Sequence, residues 1–219
     1  MIRERIISFF FPRQCVLCRK ILPEGQTDLC HSCRTNTEDF PKSNYKISFV
    51  AGWTSLWYYN GDVRRSILLY KFYNRRSYGA IYGRLLAMKL LRTDFCDYDI
   101  LTWVPVSPRR KFKRGFDQVE LIAQSAGQEL QTLPLATLRK VRHTKPQSRL
   151  SHISQRKANV LGAFEVIDRE AISGKRILLL DDIITTGATL SECSRVLLTA
   201  GAKEVHCAAV AALNKEKRR

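Results

Sequence analysis

Apolar and polar positions along this chain follow two rhythms. Residues 49–59 crowd aromatic and β-forming side chains together and stop at Asn60-Gly61, a turn pair, which predicts a strand. Val63, Ile67, Leu68 and Phe72 then recur at helical spacing, with Arg64, Arg65 and Lys71 on the other faces. A second helix is predicted over 81–91. Residues 100–106 form a short apolar run bounded by aspartates and Pro108, which suits a buried strand. Val119, Ile122, Ala123 and Ala126 make 115–130 an amphipathic helix, and 133–138 reads as a strand. Residues 141–160 are polar and basic with no sustained period, the pattern of a loop or short hairpin. An aliphatic strand at 177–180, a helix over 188–200 ended by Gly201, and a strand over 205–213 complete the pattern, before a basic tail at 215–219. Strands alternating with helices predict an α/β fold, a mostly parallel sheet covered by helices on both faces.

Four of the seven cysteines fall outside this alternation. They stand as Cys15-Val16-Leu17-Cys18 and Cys30-His31-Ser32-Cys33, with eleven residues between the pairs. Each pair can grip one side of a metal ion, and two pairs close a tetrahedral thiolate site of the structural zinc type. Disulfides are the competing reading, but a cytosolic chain keeps its thiols reduced. His31 reads as a solvent-facing neighbour of the ligands. Residues 1–45 are too few to hold a core unaided, and a metal would supply the staple. Cys96, Cys193 and Cys207 sit in apolar sequence and read as small core residues.

Composition narrows the class. With 45% hydrophobic and 26% charged residues among 219, the chain can bury a core. The apolar run at 6–11 is too short for a signal peptide, and no run approaches the ~20 residues that span a bilayer. A cytoplasmic location is expected. The net charge is +17, which suggests polyanionic partners. Between 101 and 150 there are ten basic residues against three acidic ones, and five of them fall in Ser107-Pro108-Arg109-Arg110-Lys111-Phe112-Lys113-Arg114. Taken alone, such a run is a solvated loop.

One segment changes that picture. Ile177-Leu178-Leu179-Leu180-Asp181-Asp182-Ile183-Ile184-Thr185-Thr186-Gly187-Ala188-Thr189 carries an aliphatic strand into two carboxylates and then into a hydroxyl-rich turn that opens a helix. Open α/β sheets bind ligands at the carboxyl ends of their strands. The turn's backbone N–H groups, through Ala188 at the helix start, form an anion cradle. Thr185, Thr186 and Thr189 add hydroxyls, and Gly187 permits close approach. Asp181 and Asp182 suit ribose hydroxyls and an attendant magnesium ion. A phosphate beside a ribose describes a sugar 5-phosphate. Helix capping alone is the plainer alternative.

This segment is the phosphoribosyl-pyrophosphate signature of the type I phosphoribosyltransferases, and the second part of the chain resembles that fold. Phe11-Pro12, the two cysteine pairs, Tyr70-Lys71-Phe72, Val104-Pro105-Val106 and Arg114-Gly115-Phe116-Asp117-Gln118 extend the resemblance. So do Thr144-Lys145-Pro146-Gln147 with Leu150, Arg156 with Asn159, and Ala163-Phe164. Over essentially the whole chain the sequence is similar to the ComF family of competence proteins, the ComFC type. The resemblance implies a zinc-binding module over 1–45 and a phosphoribosyltransferase-like domain over 46–219. Members of this family often carry Asn where Asp117 stands.

The resemblance further implies that phosphoribosyl pyrophosphate binds with magnesium, and that Arg109, Arg110 and Arg114, with Lys71, hold the pyrophosphate. Residues 141–160 correspond to the hood that closes over the sugar, which would bring Arg149 and Arg156 to the phosphates. It also implies action on incoming single-stranded DNA in natural transformation, beside the helicase-like competence protein ComFA. No His or Cys stands out as catalytic. Trp53, Trp57, Tyr58, Tyr59, Tyr70, Phe72, Tyr73, Tyr78 and Tyr82 interleave with basic residues, which suits either stacking on single strands or the core of a small cover. Three functions stay open: a DNA-handling protein that keeps the sugar-phosphate site, an active phosphoribosyltransferase with an unknown acceptor, and a nucleic-acid-binding regulator with the sugar phosphate as effector.

Overall fold

The computed structural model describes residues 12–41, 45–144 and 153–213. In chain order the elements are α1 (His31–Asn36), β1 (Gly52–Tyr58), α2 (Gly61–Phe72), α3 (Ser77–Leu90), β2 (Ile100–Trp103), α4 (Pro108–Arg114), α5 (Gln118–Glu129) and β3 (Leu138–Lys140). They continue with α6 (Ile153–Val160), β4 (Phe164–Val166), α7 (Arg169–Ile172), β5 (Arg176–Ile184), α8 (Ala188–Thr199) and β6 (Glu204–Ala212). The apolar run at 6–11, the segment holding Lys145, Pro146, Gln147, Arg149 and Leu150, and the tail at 215–219 lie outside the described residues.

Four strands pair in the order β1-β6-β5-β2, every pair parallel. β6 lies between β1 and β5, and its Cys207–Ala212 stretch is buried throughout, as a strand covered on both faces must be. One face carries Leu178, Leu180, Ala208 and Val210, packed with α2, α3, α5 and the cysteine loop. The other carries Ile177, Leu179, Cys207 and Ala209, packed with α8 and the β3–β4 hairpin. This is the expected type I phosphoribosyltransferase arrangement, a parallel sheet with flanking helices.

Five local expectations need correction. The cationic run is not a loop but the helix α4: Pro108 sits in its first turn, where a missing N–H costs nothing, and Gly115 ends it in the left-handed region at φ 76°. Part of the basic stretch is also helical, as α6, while the predicted strand at 133–138 survives only as Leu138–Lys140, paired antiparallel with β4. β5 does not stop at Leu180; it continues to Ile184 because Asp181, Ile183 and Ile184 keep their pairing with β6. Cys96 is exposed, whereas Cys193 and Cys207 are buried.

Of the aromatic residues, Trp53, Trp57, Tyr70, Tyr78 and Tyr82 are core. Tyr82 packs edge-on against Trp57, Tyr70 and Tyr78, so these rings are not available for stacking on a ligand. Of the other rings singled out in the sequence, Tyr58 and Tyr59 are half-buried, and Phe72 and Tyr73 are exposed, at 64% and 68%. No described helix is long and apolar enough to cross a membrane.

Candidate functional site

The cysteine loop is built by short-range backbone bonds. Cys15 N–H donates to Lys20 O and Arg19 N–H to Cys15 O, turning the chain so that Cys15 and Cys18 face one another across a knuckle. Cys30 caps α1, its sulfur accepting the Cys33 N–H at 3.4 Å. All four Sγ atoms lie within 4.8 Å of one another, and Cys18 and Cys30 are 3.6 Å apart. A tetrahedral ion with ligand bonds of about 2.3 Å would set its sulfurs roughly 3.8 Å apart, so the cluster fits a metal such as zinc. Burial alone would raise the Cys15 thiol, but N–H groups of Cys18, Cys30 and Leu17 aimed at it bring it down to about 7, whereas burial raises the thiols of Cys18 and Cys33 beside it. His31 is exposed and not part of the cluster.

The loop is anchored to the second part of the chain. Ser66 Oγ on α2 donates to Val16 O, and Ser66 meets Tyr82 Oη at 2.5 Å. Asp28 takes both ends of the Arg84 guanidinium.

At the carboxyl end of β5 the two aspartates part company. Successive strand residues point to opposite faces, and because β5 continues past them the rule holds for Asp181 and Asp182. Asp181 is buried on the α8 side with Cys193, Cys207 and Lys140 as electrostatic neighbours. Burial, reinforced by the charge of Asp182, pushes its carboxyl up to about 8. Asp182 lies on the α2 side, where its charge is felt by Tyr59, Tyr70 and Arg110. Its Oδ2 holds Lys71 Nζ at 2.8 Å, with only 15% and 17% of the two side chains exposed. The two aspartates, adjacent in sequence, therefore do not present a shared carboxylate face. Asp181 is enclosed, and Asp182 already has a cation.

That arrangement does not suit a magnesium ion held by this carboxylate pair, because Mg²⁺ demands open oxygen ligands in octahedral array. A magnesium ion accompanying a diphosphate would belong to the ligand.

The turn after β5 leads into α8 at Gly187, whose φ of 77° leaves the first-turn N–H groups without a side-chain cap at that position. Ile47 fills the space above it; a Cβ on Gly187 would stand 2.9 Å from Ile47 Cγ1. Thr186 Oγ1 accepts the Ala188 N–H at 3.4 Å, and Tyr45 Oη donates to Thr186 O. Thr185, Thr186 and Thr189 are half-buried around this start.

Of the expected cations, Lys71 pairs with Asp182, and Arg110 is near enough to feel its charge. Arg110 is lowered from its ordinary value by burial and by Arg114, with Asp182 acting against both. It is tethered to Thr144 O at 2.8 Å. Arg114 is engaged elsewhere, with its guanidinium over Phe72 at 5.2 Å and a bond to Gln118 Oε1 at 2.6 Å. Arg109 is exposed on α4.

Two residues have roles at the site that the sequence analysis did not assign. Lys140 is enclosed beside Asp181, its ammonium 4.8 Å over the Phe164 ring, and burial with the Arg110 charge pulls it down to about 8. The signal was available: Leu138 and Lys140 share a strand face, and Leu138 is buried. Asp117 is the second. Its Oδ1 caps α5 at Val119 N and Glu120 N, and its Oδ2 accepts Val106 N–H at 2.9 Å. It thus ties the segment after β2 to the start of α5, a role that needs acceptors and no amide donor.

Comparison with known proteins agrees with this geometry. The phosphoribosyl transferase domain family matches residues 114–219. Competence protein F of Haemophilus influenzae is 26% identical over 219 residues, covering 90% of this chain and 95% of that protein. Competence protein ComFC of Streptococcus pneumoniae is 33% identical over 147 residues, 67% of this chain and 62% of that one. The chain is of the ComFC type. The DNA utilization protein YhgH of Salmonella typhi is likewise 33% identical over 140 residues, 62% of this chain and 60% of its own length. The last two matches thus span about three fifths of those relatives.

Proposed function

We propose that this ComFC-type chain binds phosphoribosyl pyrophosphate at the carboxyl end of β5 and handles single-stranded DNA during DNA uptake in the cytoplasm. The observation that carries the reading is the Lys71–Asp182 ion pair at 2.8 Å at the carboxyl end of β5, directly before the start of α8 at Gly187, with Arg110 and Lys140 from two further elements near enough to feel the charges of Asp182 and Asp181. Such a site suits an anion at the helix N-terminus and a second, more highly charged group facing the cations. In this reading the 5-phosphate lies against Thr185, Thr186, Gly187, Ala188 and Thr189, and Asp182 takes ribose hydroxyls. The diphosphate, with its magnesium, faces Lys71 and the α4 cations Arg109, Arg110 and Arg114. Residues 1–45, with zinc on Cys15, Cys18, Cys30 and Cys33, form one module and 46–219 the other.

The nucleic-acid part rests on α4. The helix has no buried residue, carries five cations and leaves Phe112 92% exposed. With Phe72 and Tyr73 it offers rings and charges of the kind that track a single strand. The competence and DNA-utilization names of the relatives support the same role, and a helicase-like partner of the ComFA kind is its natural companion.

Calorimetric titration with phosphoribosyl pyrophosphate and magnesium tests the site. Wild-type protein should bind, and the Asp181→Asn/Asp182→Asn double variant should bind far more weakly. Equal affinities would overturn the assignment. Pyrophosphate release, assayed with nucleobases and then with single-stranded DNA, distinguishes a binding site from a phosphoribosyltransferase that turns over.

A further inference from the structure

Asp182 is the carboxylate that a ribose would need, and Lys71 is the cation that a diphosphate would need. Here each is used by the other, at 2.8 Å and largely shielded from water. A ligand that took only one of them would strand its partner as a part-buried, unpaired charge, which is costly.

The backbone around this pair is held in place. Tyr70, the residue before Lys71, donates to Gln118 O at 2.7 Å, and Ser66, one turn earlier, is fixed to Val16 O and Tyr82. Asp182 sits in a strand paired through Ile184. Arg110 is tethered to the Thr144 carbonyl. The flexible stem of Lys71 is therefore the part that must move when a sugar reaches Asp182.

Resting on the phosphoribosyl reading of this site, we propose that Lys71 is an exchangeable latch that makes the site selective for a sugar phosphate bearing a diphosphate. Without ligand, Lys71 closes Asp182. When ribose hydroxyls replace it there, the diphosphate on the same sugar receives the displaced ammonium, and no charge is stranded. Ribose 5-phosphate has a neutral anomeric hydroxyl and offers the ammonium nothing. Inorganic pyrophosphate can draw Lys71 away but leaves Asp182 bare. Each half-ligand is thus penalised, and the joined ligand is not.

The latch makes sign predictions that a simple binding residue does not. Lys71→Met should weaken phosphoribosyl pyrophosphate binding yet tighten ribose 5-phosphate binding, each by roughly tenfold, the scale of one charged hydrogen bond. Asp182→Asn should do the converse, weakening ribose 5-phosphate and tightening inorganic pyrophosphate. Lys71→Arg should stay near wild type for the joined ligand. Titration calorimetry of all three ligands on each variant reads these changes, and thermal melting confirms that each variant is folded. If Lys71→Met weakens ribose 5-phosphate or leaves it unchanged, and Asp182→Asn fails to tighten pyrophosphate, the latch is overturned although the site stands. If wild-type protein binds none of the three ligands, the phosphoribosyl reading itself falls. A Lys71→Met chain that does not fold leaves the Asp182→Asn titration to decide.

Discussion

Arg84 grips Asp28 at both ends, Nε to Oδ2 at 2.9 Å and Nη2 to Oδ1 at 2.6 Å, and so ties the cysteine loop to α3. Asp28 is only 8% exposed and holds a left-handed φ of 68°, so the loop is bent to reach this partner. Arg84→Ala would leave that carboxylate enclosed without a counter-charge. A loss of about 1–3 kcal/mol is expected, because Arg84 itself stays partly in water. Denaturant unfolding measures the loss, and hydrogen exchange should place the added opening in residues 13–36. Protection unchanged there would show that the loop holds itself.

The thiol cluster should carry one metal ion per chain. Metal analysis of protein purified without added zinc checks the stoichiometry, and a thiol-reactive chelator should release the ion with loss of order in the loop. Cys18→Ser is expected to lower metal content, whereas His31→Ala should not, since His31 stands outside the four sulfurs. A fully folded loop in metal-free protein would contradict this.

Asp181 makes the stability of the fold depend on pH in a particular direction. Its carboxyl is raised to about 8 in the folded chain, chiefly by burial, from an ordinary value of 3.8. The folded state therefore keeps a proton that the unfolded chain has released, and the contribution is full in acid and lost as pH rises toward 8. The melting temperature of wild type minus that of Asp181→Asn should fall steadily between about pH 5 and pH 8. A constant difference across that range would mean that Asp181 is ionised in the folded state.

If α4 meets DNA, binding should be salt-steep. Counterion release gives a log–log slope of about −0.7 for each phosphate contacted on a single strand. Replacing Arg109, Arg110 and Lys111 by Ala should make that slope shallower by roughly one to two units. Phe112→Ala should weaken binding with the slope unchanged, because stacking releases no counterions. Anisotropy of a labelled oligonucleotide across a salt series reads both. Adding phosphoribosyl pyrophosphate shows whether the ligands compete, as expected if Arg110 serves both.

Much of this molecule was legible in its residues. The two cysteine pairs, the order of strands and helices, and the strand–turn–helix at 177–189 rest on spacings of two to four residues. Local backbone geometry turns such spacings directly into knuckles, faces and caps. What only the tertiary structure decided is which of these local pieces face one another. Asp181 and Asp182 look like a pair in sequence. The pairing of β5 with β6 runs on past them and sends them to opposite faces of the sheet. Lys71 and Asp182 are 111 positions apart, and Lys140 comes near enough to feel the Asp181 charge because β3 and β4 pack on the α8 side. The α4 cations form a helix because Pro108 and Gly115 bound it and Asp117, tied to Val106, sets the next start. Such long-range partners follow from strand register and packing, whose energies are shared among many weak contacts and carried by no short motif.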